Sequence, residues 1–269
     1  MKTILKFLPV SLILLCCLQM TVIAQQKNSV GGHNLFSAGY AAGFIGGLFD
    51  GYYPYGKLKQ HGDFGLGAPD KLDGELILLN GKAYQTRFTG KTTLLNDTAK
   101  TPYAVVCFFR AGKVFKPGKP MNKEALYHYL DSVLQNQNGI YAIHIRGSFG
   151  YLKTRAFPPV TKKPYVPMAD RLDLQHFFEF RDATGDLVGY RVPAFMEGAS
   201  ISGYHFHFLS DKKDKGGHII EVLTKNVIIE VETLNSYTID LPQTTDFKNF
   251  DFKKDRKDEI KSVENGKKQ

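Results

Sequence analysis

The strongest structural signal in the chain lies in residues 203–218, which read Gly-Tyr-His-Phe-His-Phe-Leu-Ser-Asp-Lys-Lys-Asp-Lys-Gly-Gly-His. Successive side chains of a strand point to opposite faces. His205 and His207 therefore share one face, and the aromatic residues Tyr204, Phe206 and Phe208 share the other. This alternation predicts a strand that is apolar on one side and carries two imidazoles on the other.

The second half of this stretch brings in a third histidine. Residues 211–217 are mostly charged and end in two glycines, which predicts a turn, and the apolar residues 219–223 predict a returning strand. His218 starts that strand, so we expect it beside the first two histidines. Three neutral imidazoles that leave a fourth position open are typical of a catalytic zinc site. The alternative is that all three are ordinary core or surface histidines.

Composition places the chain among ordinary soluble globular proteins. It has 269 residues, 43% hydrophobic and 23% charged, which is enough to bury a sizeable core. Much of the net charge of +9 comes from lysines near the two ends of the chain. Since there is no arginine-rich helix and no basic-aromatic pattern, we expect no nucleic-acid partner.

The N-terminus has the pattern of a signal peptide. Lys2 and Lys6 provide the basic region, residues 7–18 are almost all apolar, and cleavage is predicted after Ala24. The apolar run is shorter than the roughly 20 residues that span a bilayer. We therefore expect residues 1–24 to be removed, with no stable membrane association afterwards. The protein would be exported, either to the periplasm or out of the cell.

The cysteines argue for simple export and against a disulfide. Cys16 and Cys17 lie in the leader, and the residue before them is Leu15 where a lipoprotein would carry a small residue. A lipid-anchored form is therefore the less favoured alternative. After cleavage Cys107 is alone in an apolar run, which predicts a buried, inert thiol.

Strand patterns dominate the rest of the chain. Residues 72–79 form an apolar strand that runs into Asn80-Gly81, a hairpin signal. Residues 121–135 show helical spacing, with Asn122 as the N-cap. Further strands are expected at 82–88, 103–109, 141–148, 151–157, 177–180, 187–192, 219–232 and 237–241, with an Asp-Ala-Thr-Gly turn at 182–185.

These patterns predict an α+β fold with mixed and antiparallel β-sheets, a few helices and the metal site on a β-hairpin. Residues 25–269 are expected to form a single catalytic domain, or two closely packed β-rich subdomains. The lysine-rich composition from Lys248 onward predicts a disordered tail.

Several ordered motifs together resemble bacterial α-acetolactate decarboxylase over the chain from about Gly65 onward. They are Gly65-Leu66-Gly67, Leu72-Asp73-Gly74-Glu75-Leu76-Ile77, Gly147-Ser148-Phe149 leading to Lys153-Thr154-Arg155, Gly189-Tyr190-Arg191-Val192-Pro193, the strand 203–210, and Gly216-Gly217-His218. The resemblance implies a zinc enzyme that converts 2-acetolactate to acetoin and carbon dioxide. It also implies a homodimer.

Residue by residue, the resemblance implies that His205, His207 and His218 ligate Zn²⁺. It implies that Glu75 and Arg155 line the pocket. The family also has a glutamate near the C-terminus that folds back into the active site. Glu264 stands in that place, with Glu259 as the neighbouring alternative, so the resemblance implies an ordered tail.

The chemistry expected of such a site is stabilisation of the enediolate left when carbon dioxide departs. A zinc ion acts there as a Lewis acid, and Arg155 can orient the leaving carboxylate. Glu75 or Glu264 would then deliver a proton. Read without the resemblance, Arg155 fits a surface ion pair and Glu75 fits a polar residue at a strand edge.

Two other kinds of protein share parts of this pattern. A cupin-like metal-dependent oxygenase or isomerase also uses His-x-His on a strand, usually with a Glu soon after, and Asp211 stands near that position. A non-catalytic exported metal-binding protein is the second alternative, although tandem His-rich tracts are absent. His144 and Arg146, which share a strand face, are the remaining candidates for the pocket.

Overall fold

The computed structural model describes residues 32–267. The predicted signal peptide, its cleavage site and the boundary at residue 25 lie outside this range. Within the described residues, the chain from His33 onward forms one compact unit. No helix in the described part of the chain has both the length and the apolarity needed to cross a bilayer.

The described residues contain fourteen strands and five helices. The strands are β1 (Asn34–Ala38), β2 (Tyr53–Pro54), β3 (Phe64–Ala68), β4 (Glu75–Leu79), β5 (Lys82–Thr86), β6 (Thr92–Leu94), β7 (Lys100–Thr101), β8 (Tyr103–Cys107), β9 (Lys113–Phe115), β10 (Ile140–Ala156), β11 (His176–Val192), β12 (Gly203–Ser210), β13 (Gly216–Leu234) and β14 (Ser236–Asp240). The helices are α1 (Ala41–Ile45), α2 (Tyr55–Leu58), α3 (Lys123–Val133), α4 (Thr245–Lys248) and α5 (Lys257–Asn265). Short 3₁₀ turns occur at Asp70–Leu72, Met168–Leu174 and Ala194–Met196.

Two large sheets organise these elements. The first has seven strands in the order β14-β1-β8-β3-β4-β5-β6, and it is mixed because β1 and β14 run parallel. The second is antiparallel, in the order β10-β11-β12-β13-β9. In it β10 also pairs with β13, so four strands form a closed cycle of pairings. The predicted α+β class with mixed and antiparallel sheets is confirmed.

The main core lies between the two sheets. Leu66, Ile77 and Val105 from the first sheet pack with Val188 and Tyr190 from the second. On the far face of the second sheet, the apolar side of α3 packs over its strands. This second cluster includes Leu126, Leu130, Phe206 and Phe208. The aromatic residues of β12 thus face α3, as the alternation predicted, and its histidines face the region between the sheets.

Two breaks between predicted strands, at residues 149–150 and 182–185, are absent from the structure. Residues 141–148 and 151–156 belong to one continuous strand, β10, and residues 182–185 lie within β11. The prediction of a turn at 182–185 was wrong because β10 and β11 pair on both sides of this segment, from Tyr141 with Arg191 to Ala156 with His176. The pairing of β10 with β13 shifts register near Ser148, and Asp182 of β11 has a left-handed backbone (φ 45°). Neither irregularity ends its strand.

The C-terminal region is a second correction, because α5 lies in the segment from Lys248 onward, whose composition predicted disorder. Ile260 and Val263 of α5 are buried in the main core, at 3% and 1% exposure. Burial of these apolar side chains offsets the ordering cost that the lysine-rich composition suggested.

The turn that leads into β4 requires glycine at position 74. Gly74 has φ +92°, and a Cβ there would lie 2.0 Å from the Thr86 carbonyl oxygen. The Asn80-Gly81 hairpin turn has positive φ at both residues, as a type I′ turn requires. Gly81, at φ +71°, has nothing within 4 Å of the position that a Cβ would take. A substitution at Gly81 is therefore a matched control for a substitution at Gly74.

Gly74→Ala is expected to lower the free energy of unfolding by about 2–5 kcal/mol. The left-handed backbone costs about 1–2 kcal/mol for a residue with a Cβ, and overpacking adds about 1–3 kcal/mol. Gly81→Ala carries only the first cost, about 1–2 kcal/mol. Urea unfolding of both variants checks this. Equal losses would mean that the turn before β4 shifts to make room.

Candidate metal centre and catalytic pocket

The hairpin of β12 and β13 brings the three histidines together. His207 lies opposite His218 in the strand register. Nε2 of His205 is 3.1 Å from Nε2 of His207 and 3.1 Å from Nδ1 of His218. All three side chains are buried, and one nitrogen from each lies within 4.8 Å of the others. The cluster could therefore hold a metal ion.

The outer hydrogen bonds of two rings determine which nitrogen faces the cluster. Nδ1 of His207 donates to the Leu76 carbonyl oxygen at 2.8 Å, and Nε2 of His218 donates to the Glu264 carbonyl oxygen at 3.1 Å. A carbonyl oxygen only accepts, so those nitrogens carry the protons. In the neutral rings, Nε2 of His207 and Nδ1 of His218 therefore present lone pairs to the cluster.

Burial keeps these rings neutral. It lowers the pKa of His207 to about 3, and it lowers the pKa of His205 and His218 well below the usual range, where Arg155 adds to the effect. Buried lone pairs that face one another repel unless a cation lies between them. Tetrahedral coordination with metal–nitrogen bonds of about 2.1 Å separates ligand nitrogens by about 3.4 Å. The two separations of 3.1 Å from His205 are close to that value.

Glu75 and Arg155 form a buried ion pair beside the histidines. Nη1 of Arg155, on β10, donates to Oε1 of Glu75 at 2.5 Å. Oε2 of Glu75 lies 3.4 Å from Nε2 of His207. Burial raises the pKa of the Glu75 carboxyl to about 7, and Arg155 opposes that rise. Without the family resemblance, the sequence suggested a polar Glu75 at a strand edge and an Arg155 in a surface ion pair. Both alternatives are wrong, because the two side chains are only 7% and 3% exposed.

Glu264 reaches the same pocket from α5. Its Oε2 lies 3.8 Å from Nε2 of His205 and 4.0 Å from Nε2 of His218. Burial raises the pKa of this carboxyl to about 8, against the opposing effect of Arg155. Glu259, the alternative for this position, is instead paired with Lys254 at 2.6 Å and Arg256 at 2.5 Å.

These polar residues line a small cavity between the sheets. Its apolar walls come from six separate segments: Phe44, Leu72, Tyr103, Met168, Ile201 and Val263. No sequence pattern singles these residues out, because each looks like an ordinary core residue in its own segment.

Comparison with known proteins places this pocket in a family. A family model described as alpha-acetolactate decarboxylase matches residues 35–254. The alpha-acetolactate decarboxylase of Methanosarcina mazei is 34% identical over 218 residues, which cover 81% of this chain and 75% of that protein. The one from Bacillus subtilis is 32% identical over 220 residues, covering 82% and 85%.

Solved structures agree with the sequence comparisons. The crystal structure of alpha-acetolactate decarboxylase from Bacillus subtilis strain 168 superposes with a TM-score of 0.83 at 30% identity, covering 86% of this chain and 99% of that one. The chain belongs to the α-acetolactate decarboxylase family. The resemblance inferred from the motifs is thereby confirmed, and so is the kind of enzyme that it implied, a decarboxylase of the carboxy-lyase class. The match to the family model ends at residue 254, so it does not include Glu264.

Other candidates for the α-acetolactate decarboxylase pocket lie elsewhere. His144 is held between two carboxylates, at 2.9 Å from Asp186 and 3.3 Å from Glu230. Arg146 is half exposed and pairs with Glu230. Asp211, the possible cupin-type ligand, is exposed in the turn after β12. Among the described residues, the cluster that could hold a metal ion consists of the three histidines.

Proposed function

We propose that the protein decarboxylates 2-acetolactate to acetoin and carbon dioxide with a zinc ion held by His205, His207 and His218. Membership of the α-acetolactate decarboxylase family supports the reaction and the substrate. The observation that carries the zinc proposal is the convergence of buried, neutral imidazole nitrogens in a pocket that also holds two carboxyls and a guanidinium. Nitrogen ligands of this number suit catalytic zinc.

When bound, the zinc ion supplies Lewis-acid stabilisation of the negative charge that develops on the substrate's ketone oxygen. Neutral imidazole ligands do not cancel the charge of the ion, so the site stays positive and favours an oxyanion. In the reaction the bond to the carboxylate carbon breaks. Its electron pair is shared with the neighbouring ketone as an enediolate, and a proton must then reach the carbon that lost carbon dioxide.

Arg155 is proposed to orient the leaving carboxylate. Its guanidinium is buried in the cavity wall, stacked 4.7 Å above the ring of Phe157. Nη1 and Nη2 bind Glu75 and the Val263 carbonyl oxygen, whereas the buried Nε–H has no hydrogen-bond partner among the described residues. A buried donor without a partner is costly, and a bound carboxylate would satisfy it.

Glu75 and Glu264 are the two proposed proton donors. Both carboxyls line the cavity, Glu75 beside His207 and Glu264 beside His205 and His218. The burial of each raises its pKa, which favours the protonated form that a general acid needs. Glu75 is tied directly to Arg155 and so lies next to the proposed position of the leaving carboxylate.

The proposal predicts that purified protein forms acetoin from racemic 2-acetolactate. Activity should be lost on chelation and restored by zinc, because the histidines alone do not supply the positive charge. Acetoin assay before chelation, after chelation and after zinc addition checks this. A folded, metal-loaded protein that forms no acetoin would rule out the decarboxylase proposal. Activity that survives complete metal removal would rule out the zinc dependence.

A further inference from the structure

Helix α5 covers the metal centre and contacts it through its backbone. Ile260 and Val263 anchor the helix in the main core. The last turn then presents two carbonyl groups to the pocket: Val263 O accepts from Nη2 of Arg155 at 3.2 Å, and Glu264 O accepts from Nε2 of His218 at 3.1 Å. Carbonyls in the last turn lack a partner further along the helix, so they can accept these bonds. The Val263 carbonyl oxygen also accepts from Gly266 N at 3.1 Å.

The end of α5 is held in place on the side that meets the histidine. Gly266 ends the helix in the left-handed conformation, with φ 64°. Its carbonyl oxygen accepts from Nε2 of Gln175 at 2.8 Å, and Lys267 N donates back to Ser262 O at 3.1 Å. The Glu264 carbonyl is therefore positioned by the docked helix rather than by a mobile end of chain.

This carbonyl matters because His218 faces the cluster through Nδ1, whereas His205 and His207 use Nε2. A neutral imidazole carries one proton, so Nδ1 is free to bind a metal only when Nε2 holds the proton. Glu264 O is the acceptor that favours this tautomer. Partners of this kind orient a ligating ring and typically change metal affinity about ten- to a hundredfold.

We infer that docking of α5 and zinc binding are coupled, with the main-chain carbonyl of Glu264 acting as the positioning group for His218. The inference rests on the proposed zinc site and goes beyond it. Because such coupling is reciprocal, zinc must also stabilise the docked helix. The segment responsible lies outside the part of the chain that the family model matches.

The first test measures zinc affinity by competition with a chelating indicator, without any substrate. Ile260→Asp places a charge in the core contact of α5, and we expect it to weaken zinc binding about ten- to a hundredfold. Gln175→Ala removes only the bond to Gly266, so it should weaken binding in the same direction with less risk to folding. Lys261→Ala, on the exposed side of the same helix, is the matched control and should bind zinc as the parent protein does.

Glu264→Gln distinguishes the contribution of the Glu264 main-chain carbonyl to zinc affinity from that of its side-chain carboxylate. The substitution keeps the main-chain carbonyl and removes the carboxylate, so zinc affinity should stay at the parent value. If Glu264→Gln weakens binding as much as Ile260→Asp, the carboxylate is what α5 contributes and the inference is wrong. It is also wrong if Ile260→Asp and Gln175→Ala, shown to be folded by circular dichroism, bind zinc normally.

Hydrogen–deuterium exchange tests the reciprocal effect. Zinc should slow exchange of the amides at 260–267 in the parent protein, and this protection should be reduced in Gln175→Ala. Exchange in α5 that is unchanged by saturating zinc would overturn the coupling while leaving the zinc site in place. A protein that binds no zinc at all would overturn both the coupling and the zinc proposal.

Discussion

Replacing His207 by Gln is expected to abolish zinc binding and acetoin formation together. His207 is 1% exposed, and its ring connects the cluster to β4 through the Leu76 carbonyl oxygen. Removing a single oxyanion-stabilising donor costs about a hundred- to a thousandfold in turnover, and loss of the metal removes more than one such interaction. We therefore expect a loss at the upper end of that range or beyond it, measured as kcat with zinc content determined on the same sample.

The control for this substitution is another histidine. His128 lies on α3 with its side chain 76% exposed, and its charged partner, Glu124, is 84% exposed. His128→Gln should keep both zinc and turnover. The His207 variant also leaves the Leu76 carbonyl without its donor, so its folding must be checked by thermal unfolding. A folded His207→Gln protein with parent levels of zinc and kcat would show that the histidine cluster is not the reaction centre.

Glu75→Gln is expected to lower kcat about a hundredfold or more while zinc content stays unchanged. Glutamine has nearly the shape of glutamate, and its amide oxygen can still accept from Arg155. It has no carboxyl proton to deliver to the enediolate. The expected result is therefore a slow enzyme with an intact metal centre, in contrast to the His207 variant, which should lose both.

An exposed glutamate supplies the matched control for Glu75. Glu221 lies on β13 with its side chain 56% exposed and 3.6 Å from Lys153. Exposed pairs of this kind contribute little, so Glu221→Gln should keep parent turnover and stability. Breaking a buried ion pair is destabilising, so the thermal midpoint of Glu75→Gln should be compared with that of the parent. Parent turnover in Glu75→Gln would refute its role as a proton donor and leave Glu264 as the candidate.

Much of the local structure follows from covalent geometry and could be predicted from the sequence. Alternation along a strand put His205 and His207 on one face of β12. Asn80-Gly81 makes the type I′ turn because both residues tolerate positive φ. Asn122 caps α3 through its side-chain oxygen, which accepts from Ala125 N at 2.9 Å. These signals act over a few residues, so composition and spacing carry them.

Other features depend on contacts between residues far apart in the chain. The prediction of a turn at 182–185 failed because pairing with β10 on both sides of this segment outweighed the local turn signal. The prediction of a disordered tail failed because Ile260 and Val263 bury their side chains between distant segments. Neither effect is visible in a short window of sequence.

The functional site likewise has features that the sequence predicts and features that depend on tertiary contacts. The sequence by itself determined which residue types could form it, since three histidines at hairpin spacing and a few ordered motifs named His205, His207, His218, Glu75 and Arg155. Only the tertiary structure decided that Glu75 pairs with Arg155, 80 residues away, and that a carbonyl of α5 selects the tautomer of His218. The physical reason is that tautomer, ion pairing and burial depend on the groups that surround a side chain in space.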